Sequence, residues 1–477
     1  MLDLDSAVIQ DIDAAPDVRA SLSTRVRAVE DTATTGARIE RVEVPVPASV
    51  PLIDWMRAQP HSETVYWSGR EETRTVAAVG AADVVASTDA PADYGALGTA
   101  LETRLRGAAS AVRYYGGVRF DAGQPSATNR PDCRWAPFGT YRFVLPRFEL
   151  VSTETDLRLV CNLVRPRDAR RTETVREQLK ALALPRPEER PPLPRPYHRQ
   201  NVPNHEGWTD MIRWALDAIQ GESLDKVVLA RRVALALRDS MDPLLVLNHL
   251  ETATPGCYHF ALRPADGPAF VGASPERLFR RDGRHVTSEA VAGTRPRGQT
   301  EAEDQALRTE LLQSPKERRE HAFVEEAIRA HLETVCHGPI RSPNGTGELA
   351  LARGRHLHSR LTGTLRPETT TTDLLDVLHP TPAVGGVPTD NAVAAIRAQE
   401  PFDRGWYAGP VGWIGREAAE FAVGIRAGLV EESQIALFSG AGIVEGSTPD
   451  REWEEIEQKI GDFAAIMGVV DSETASV

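Results

Sequence analysis

The sequence lacks the features that mark membrane, secreted and nucleic-acid-binding proteins. It has no run of about 20 apolar residues that could span a bilayer, and its acidic first residues, 1–13, show no signal-peptide pattern. Positive charge is in deficit: 55 Lys and Arg face 68 Asp and Glu, a net charge of −13. That balance argues against nucleic acid or an anionic membrane surface as a partner. We therefore expect a cytoplasmic protein, in which local charge could still bind a small anion.

Cysteine is scarce, and internal repeats are absent. The four cysteines, Cys133, Cys161, Cys257 and Cys336, are too widely spaced for a zinc site or a disulfide framework. No repeat of about 20 to 50 residues is visible, which argues against a solenoid. The 477 residues are enough to bury a sizeable core in one large or two medium domains.

A proline-rich stretch divides the chain. Six prolines lie between Pro185 and Pro196, and they predict an exposed, extended connection. It separates a first part, residues 1–200, from a more regular second part, residues 201–470, as two domains or as two parts of one fold. The second part contains many adjacent strand patterns with helices interspersed. This order predicts a large α+β fold with mainly antiparallel sheets.

The last helix, which begins at Pro449, carries charged residues along one flank. Glu452, Glu455 and Lys459 follow one another at helical spacing. The simpler interpretation is a solvated face of ion pairs. The functional one is a pair of carboxylates for a hard cation such as magnesium, with a lysine beside them for an anion. Glu320, near the start of a helix over 316–335, allows the same two interpretations.

Two residues at strand ends are candidates for proton transfer. Lys226 begins an apolar strand over 226–237, where its amine could reach water at a sheet edge or be buried in a cleft as a general base. Glu276 follows a strand and could be an ordinary turn carboxylate. If it is buried, it would hold its proton and act as a general acid.

Glycines and an arginine near the C-terminal end indicate an anion site. Gly440, Gly442 and Gly446 follow a strand without the spacing of a dinucleotide fingerprint. They mark a tight turn or let backbone amides approach a carboxylate. Arg426 falls inside a predicted apolar strand over 421–430. A buried arginine there needs an anion, which could be a bound carboxylate or an internal Asp or Glu.

Seven ordered blocks resemble the chorismate-utilizing enzymes, the family of anthranilate synthase component I, and most closely its isochorismate synthases. The resemblance is strong over residues 205–467 and weak before about residue 200. The blocks are KVVLARR (226–232), FVGASPERL (270–278), AVAGTRPRG (290–298), EHAFVEEAI (320–328), LHPTPAVGGVP (378–388), FDRGWYAGPVGW (402–413) and SGAGIVEGSTPDREWEEIEQK (439–459).

The resemblance implies a single large chorismate-binding fold and a magnesium-dependent isomerase that moves a hydroxyl from ring carbon 4 to ring carbon 2. Lys226 matches the base that activates water, and Glu276 matches the acid that protonates the departing hydroxyl. Glu320 and Glu455 match metal ligands, with Glu452 beside them through water. The residues that match the substrate pocket are Ala292, Gly293, Thr294, His358, Tyr407, Arg426, Gly440 and Lys459. Neutral lysine with protonated glutamate would be the competent state.

Three alternatives stay open beside isochorismate synthase. Relatives that use ammonia lack a lysine at the position of Lys226 and need an amidotransferase, so we expect water as nucleophile and no amidotransferase subunit. A salicylate synthase would go on to eliminate pyruvate; Tyr407 fits both enzymes, whereas Ile425 and the 378–388 block favour the one that stops at isochorismate. A non-catalytic paralogue would have lost a key residue. We expect a monomer or weak homodimer, feeding menaquinone or siderophore synthesis.

Overall fold

The computed structural model describes residues 18–30, 38–47, 50–60, 63–71, 74–123, 133–185, 190–265, 267–352 and 354–467. The helices are α1 (Val18–Glu30), α2 (Leu52–Arg57), α3 (Tyr94–Leu105), α4 (Thr172–Ala181), α5 (His205–Gln220), α6 (Pro243–Ala253), α7 (Glu301–Gln313), α8 (Pro315–Val335), α9 (Thr371–Leu378), α10 (Thr389–Gln399) and α11 (Pro449–Ile466). None of these described helices is long and apolar enough to cross a membrane.

The strands belong to one hydrogen-bonded sheet with antiparallel pairings. They are β1 (Arg38–Val46), β2 (Thr64–Ser68), β3 (Thr75–Ser87), β4 (Tyr114–Val118), β5 (Tyr141–Ser152), β6 (Leu157–Arg165), β7 (Pro196–Val202), β8 (Lys226–Leu237), β9 (Tyr258–Arg263), β10 (Ala269–Ser274), β11 (Arg277–Asp282), β12 (His285–Pro296), β13 (Gly347–Ala350), β14 (Gly354–Thr364), β15 (Gly386–Val387), β16 (Pro410–Ile414), β17 (Ala418–Val423), β18 (Ala427–Glu431) and β19 (Gln434–Ile443).

The two parts of the chain share this sheet and its core. Strand β2 pairs with β9, and β4 pairs with β16, so strands from before the proline-rich stretch lie beside strands from after it. In the core, the ring of Trp135 packs against that of Phe270, with 5.3 Å between centroids. The predicted mainly antiparallel α+β fold is confirmed. The division near residue 200 stays a prediction.

The proline-rich stretch ends in a strand rather than in a loop. Residues 190–195 form no regular structure, but β7 begins at Pro196 and pairs with β8. A proline is tolerated there because it occupies the first position of the strand. Cys161, Cys257 and Cys336 are buried.

The strand predicted over 421–430 is two strands, and this corrects the placement of Arg426. Strand β17 pairs with β11 and β16, whereas β18 pairs with β10 and β19. The chain changes neighbours between them, and Arg426 lies in the break, half-buried, with a φ of 49°. The apolar pattern does not reveal this break, because β17 and β18 are both buried and their apolar residues form one nearly continuous run.

The elements that carry the site follow local sequence rules. The apolar, β-branched run 226–237 forms β8 with the predicted bounds. Helix α8 begins at Pro315, and the Ser314 side chain accepts a hydrogen bond from the backbone N–H of Glu317. Helix α11 begins at Pro449 as predicted. Thr448 is its N-cap residue, but the threonine side chain makes no capping hydrogen bond.

Candidate active site

A cavity of about 440 Å³ lies where β8, β12, β19, α8 and α11 meet. All the predicted site residues except His358 line it: Lys226, Glu276, Ala292, Gly293, Thr294, Glu320, Tyr407, Arg426, Gly440, Glu452, Glu455 and Lys459. A second cavity of about 220 Å³ adjoins it and shares Arg426, Glu455 and Lys459. Residues spread over more than 230 positions of the chain therefore converge on one space.

Lys226 points into the cavity rather than into bulk water. Its side chain is 1% exposed, and its Nζ donates a hydrogen bond to Oε1 of Glu320 at 2.9 Å. Gly442, on the facing strand β19, leaves room for this pair. A Cβ atom at Gly442 would lie 2.9 Å from Cε of Lys226 and 3.0 Å from Oε1 of Glu320. A side chain at position 442 would therefore displace both groups.

Glu276 is buried where the chain passes from β10 to β11. Its backbone N–H donates to Oγ of Ser274 at 3.2 Å, and its carbonyl accepts from the N–H of Val423 at 3.0 Å. Burial raises the pKa of Glu276 to about 8; nearby Lys226 opposes this rise, and Glu289 adds to it. The carboxyl group is therefore protonated at neutral pH, the form that a general acid requires.

A cationic corner forms between α11 and the strand break that holds Arg426. Lys459 Nζ lies 2.6 Å from Oε1 of Glu455 and donates to the Gly440 carbonyl at 3.0 Å. Arg426 Nη1 donates to the backbone carbonyl of Lys459 at 2.9 Å. The Tyr407 ring stacks on Phe438 and is almost fully buried beside them. Two cations and a phenol thus border the same end of the cavity.

The Gly440 amide also faces this corner. Gly440 on β19 lies opposite Ala230 on β8, but their backbone groups turn away from each other. The Ala230 N–H donates to Glu400, and the Gly440 carbonyl accepts from Lys459. In an antiparallel pair the N–H and C=O of one residue point the same way. The Gly440 N–H is therefore directed toward the cavity, where it could donate to an anion.

The carboxylates suit magnesium better than a metal held by protein alone. Glu320 projects from α8, and Glu452 and Glu455 project from α11 toward the same cavity. Burial raises the pKa of Glu452, and the charge of Glu455 adds to the rise, so a cation here would relieve repulsion. Within the described ranges, no three His, Cys, Asp or Glu side chains are grouped to hold a metal. Magnesium commonly takes one or two carboxylates and completes its shell with water and substrate oxygens.

The histidine on the cavity wall is His356, not His358. His356 Nδ1 lies 3.0 Å from Oγ1 of Thr294 and 3.2 Å from the Gly293 carbonyl, and burial lowers its pKa to about 3. His358 lies behind the wall, with Nε2 3.4 Å from Oε2 of Glu289. The two histidines are two positions apart on β14, so strand alternation puts them on one face and cannot distinguish them. The register between β12 and β14 shifts between Ala292 and Thr294. His356 therefore lies opposite Thr294, whereas His358 lies opposite Val291.

Sequence reasoning missed two cations at the mouth of the cavity. Lys316 and Arg451 line it and are exposed. Each lies four residues before a predicted metal ligand on the same helix, Lys316 before Glu320 and Arg451 before Glu455. Residues four apart share a helix face, and this spacing was a usable signal.

Comparisons with known proteins agree with this geometry. Residues 28–468 match the model of a family described as chorismate binding enzyme. The chain is 34% identical over 457 residues to isochorismate synthase 2, chloroplastic, of Arabidopsis thaliana, covering 89% of this chain and 80% of that protein. It is 40% identical over 264 residues to isochorismate synthase MenF of Bacillus subtilis, covering 55% of this chain and 56% of that protein.

A solved structure matches over nearly the whole chain. It is that of MenF, the menaquinone-specific isochorismate synthase from Escherichia coli, with a TM-score of 0.80 and 26% identity. The match covers 94% of this chain and 100% of that one. The chain belongs to the chorismate-binding enzyme family.

Proposed function

We propose that this chain is an isochorismate synthase, an isomerase that converts chorismate to isochorismate with the help of magnesium. One observation supports the proposal above the others: a buried lysine and a protonated, buried glutamate, Lys226 and Glu276, line one cavity together with cations for a dianionic substrate. A base and an acid in one enclosed site suit a reaction in which water enters and hydroxide leaves. The relatives named isochorismate synthase support the same choice.

The proposed reaction balances without a further reactant. Lys226, as the neutral amine, takes a proton from water while the water oxygen bonds to ring carbon 2. The ring double bonds shift, the bond between carbon 4 and its oxygen breaks, and Glu276 gives its proton to that oxygen. One water is consumed and one is released, so the product is an isomer of the substrate. The proton on Lys226 then returns to Glu276 through solvent.

The remaining residues would bind and orient the substrate. We assign the enolpyruvyl carboxylate to the corner of Arg426, Lys459, Tyr407 and the Gly440 amide, and the ring to the backbone of residues 292–294. Glu320 and Glu455 would hold magnesium, with Glu452 beside them through water. When bound, the ion would neutralise these carboxylates and attract the ring carboxylate. His356 takes the place near the ring that the sequence assigned to His358.

The biological setting is part of the proposal. We place the enzyme in the cytoplasm, without an amidotransferase subunit, as a supplier of isochorismate for menaquinone or siderophore synthesis. The menaquinone-specific name of the solved Escherichia coli structure supports the first of these routes.

Product chromatography tests the function. Purified protein is incubated with chorismate, with and without magnesium, and the products are separated. We expect isochorismate only when magnesium is present, and none from a Lys226→Ala control. Enzymatic formation of salicylate and pyruvate would instead identify a salicylate synthase. No conversion by the folded protein at any magnesium concentration would contradict the proposal and favour a non-catalytic paralogue.

A further inference from the structure

A buried ionic cluster lies behind the cavity wall that carries Glu276. Its centre is Glu289 on β12, whose side chain is 0% exposed. Arg70 Nη2 donates to both carboxylate oxygens of Glu289 at 2.7 and 2.6 Å, and Arg277 Nη1 donates to Oε1 at 2.7 Å. Such charge-assisted contacts are strong and directional. None of these three residues lines the cavity.

The cluster holds the chain on both sides of Glu276. Arg277 follows Glu276 directly, and its side chain is 1% exposed. Arg70, which binds Glu289 through Nη2, also donates through Nη1 to the carbonyl of Pro275 at 2.6 Å. The residues before and after Glu276 are therefore both tied to one carboxylate.

Glu289 also contributes charge. Burial alone would raise the pKa of Glu289, but contacts with His358, Arg70 and Arg277 outweigh burial and lower it to about 2. Glu289 is therefore ionised at neutral pH. Its negative charge raises the pKa of Glu276, in opposition to Lys226 on β8 and Lys459 on α11. The other charged or titratable groups that line the cavity are Arg295, Lys316, Glu317, Glu320, His356, Tyr407, Arg426, Arg451, Glu452 and Glu455.

We infer that Glu289 is a positioning residue for the acid: through Arg70 and Arg277 it fixes the backbone on both sides of Glu276. Its negative charge adds to burial in favouring the protonated form of Glu276. The inference deepens the proposed function and rests on it, because it requires Glu276 to donate a proton during chorismate turnover.

The test is the pH dependence of kcat in Glu289→Gln, which keeps the shape of the side chain and removes its charge. In the native enzyme, kcat should fall as pH rises through about 8, the pKa of Glu276. Removing this nearby negative charge should lower the pKa of Glu276. The fall in kcat should then shift to lower pH by about one unit or more. For a shift of one unit, the loss at pH 8 should be about fivefold greater than at pH 6.

A matched control separates this effect from general damage to the cluster. Glu420 is a second buried carboxylate that contacts Arg277, at 3.3 Å, and it accepts a hydrogen bond from the Tyr258 hydroxyl. Glu420→Gln removes the same charge from the same arginine, but the charge of Glu420 is not among those that shift Glu276. We expect it to reduce stability without moving the pH at which kcat falls. An equal shift in both variants, or no shift in Glu289→Gln, would overturn the inference.

A second variant covers the case in which Glu289→Gln does not fold. Arg70→Lys keeps a positive charge beside Glu289 but cannot bind the carboxylate and the Pro275 carbonyl together. We expect kcat to fall about tenfold, with KM for chorismate within about twofold of the native value. An unchanged kcat would overturn the inference. If the native protein makes no isochorismate, the proposed function fails instead, and the two outcomes are distinct.

Discussion

Two buried glutamates, Glu276 between β10 and β11 and Glu289 on β12, show how one wall serves two purposes. Glu276 faces the cavity, where burial raises its pKa to about 8. Glu289 faces away, where two guanidinium groups and His358 lower its pKa to about 2. Both residues are less than 5% exposed. Partners rather than burial decide which carboxyl keeps its proton.

The same contrast extends to the side chains around them. Behind the wall, each charge is paired with an opposite charge in a fixed arrangement of arginines. On the cavity side, Lys226 and Lys459 bind the carboxylates that we assign to magnesium. Under the proposed function, magnesium would bind the carboxylates on the front of the wall, whereas the ion pairs at its rear have no part in binding. Substitutions on the two sides should therefore fail in different ways.

The largest effect is expected at the front of the wall from Lys226→Ala. The substitution removes the proposed base, so kcat should fall about 10³-fold. Lys226→Arg is the matched control, because it keeps the positive charge but cannot lose its proton. It should be as inactive as the alanine variant, as measured by isochorismate formation. Substantial activity in the arginine variant would show that Lys226 acts only as a charge.

Glu276→Gln comes next and tests both activity and stability. The amide cannot donate an acidic proton, so kcat should fall about 10²-fold, and the loss of kcat above about pH 8 should disappear. The folded pKa of about 8 lies above the ordinary value of 4.5. The native fold therefore binds the extra proton between these values, and native stability should decline as pH rises from 4.5 to 8 relative to the variant.

Urea unfolding at about pH 5 and pH 8.5 checks the stability half of this prediction. The free energy of unfolding of Glu276→Gln minus that of the native protein should be larger at pH 8.5 than at pH 5. An equal difference at both pH values would show that Glu276 does not have a raised pKa in the folded protein. It would contradict the opposite pKa shifts that we assign to Glu276 and Glu289.

Much of the cavity side of this wall could be predicted from sequence, whereas the ionic cluster around Glu289 behind it could not. Apolar patterning identified β8 with its final bounds, and the ordered blocks located the cavity residues. The partners of Glu289 gave no signal, because Arg70 lies 219 residues away and reaches it only through the sheet. The break at Arg426 and the choice between His356 and His358 failed for a related reason. Each depends on which strand lies alongside, and spacing within one strand does not report that.

A smaller effect is expected from Gly442→Ala. The new Cβ would lie 2.9 Å from Cε of Lys226 and 3.0 Å from Oε1 of Glu320, closer than normal packing allows. Displacing the base by a fraction of an ångström should reduce kcat about 10- to 100-fold. Melting temperature and kcat should be measured together. A loss of stability with normal kcat would mean that the cavity absorbs the methyl group and that its front is more pliant than we argue.

The smallest effect is expected from Gly461→Ala, the counterpart of that substitution away from the cavity. Gly461 lies within α11, and a Cβ there would meet no atom within 4 Å. Alanine costs less backbone entropy than glycine in a helix, so the free energy of unfolding should rise by about 0.5–1 kcal/mol. Because α11 also carries Glu452, Glu455 and Lys459, unchanged kcat would show that the helix places them without needing flexibility at 461. A kcat reduced as far as in Gly442→Ala would mean that motion of α11 is part of turnover. Residues along the whole helix would then affect catalysis, not only those that line the cavity.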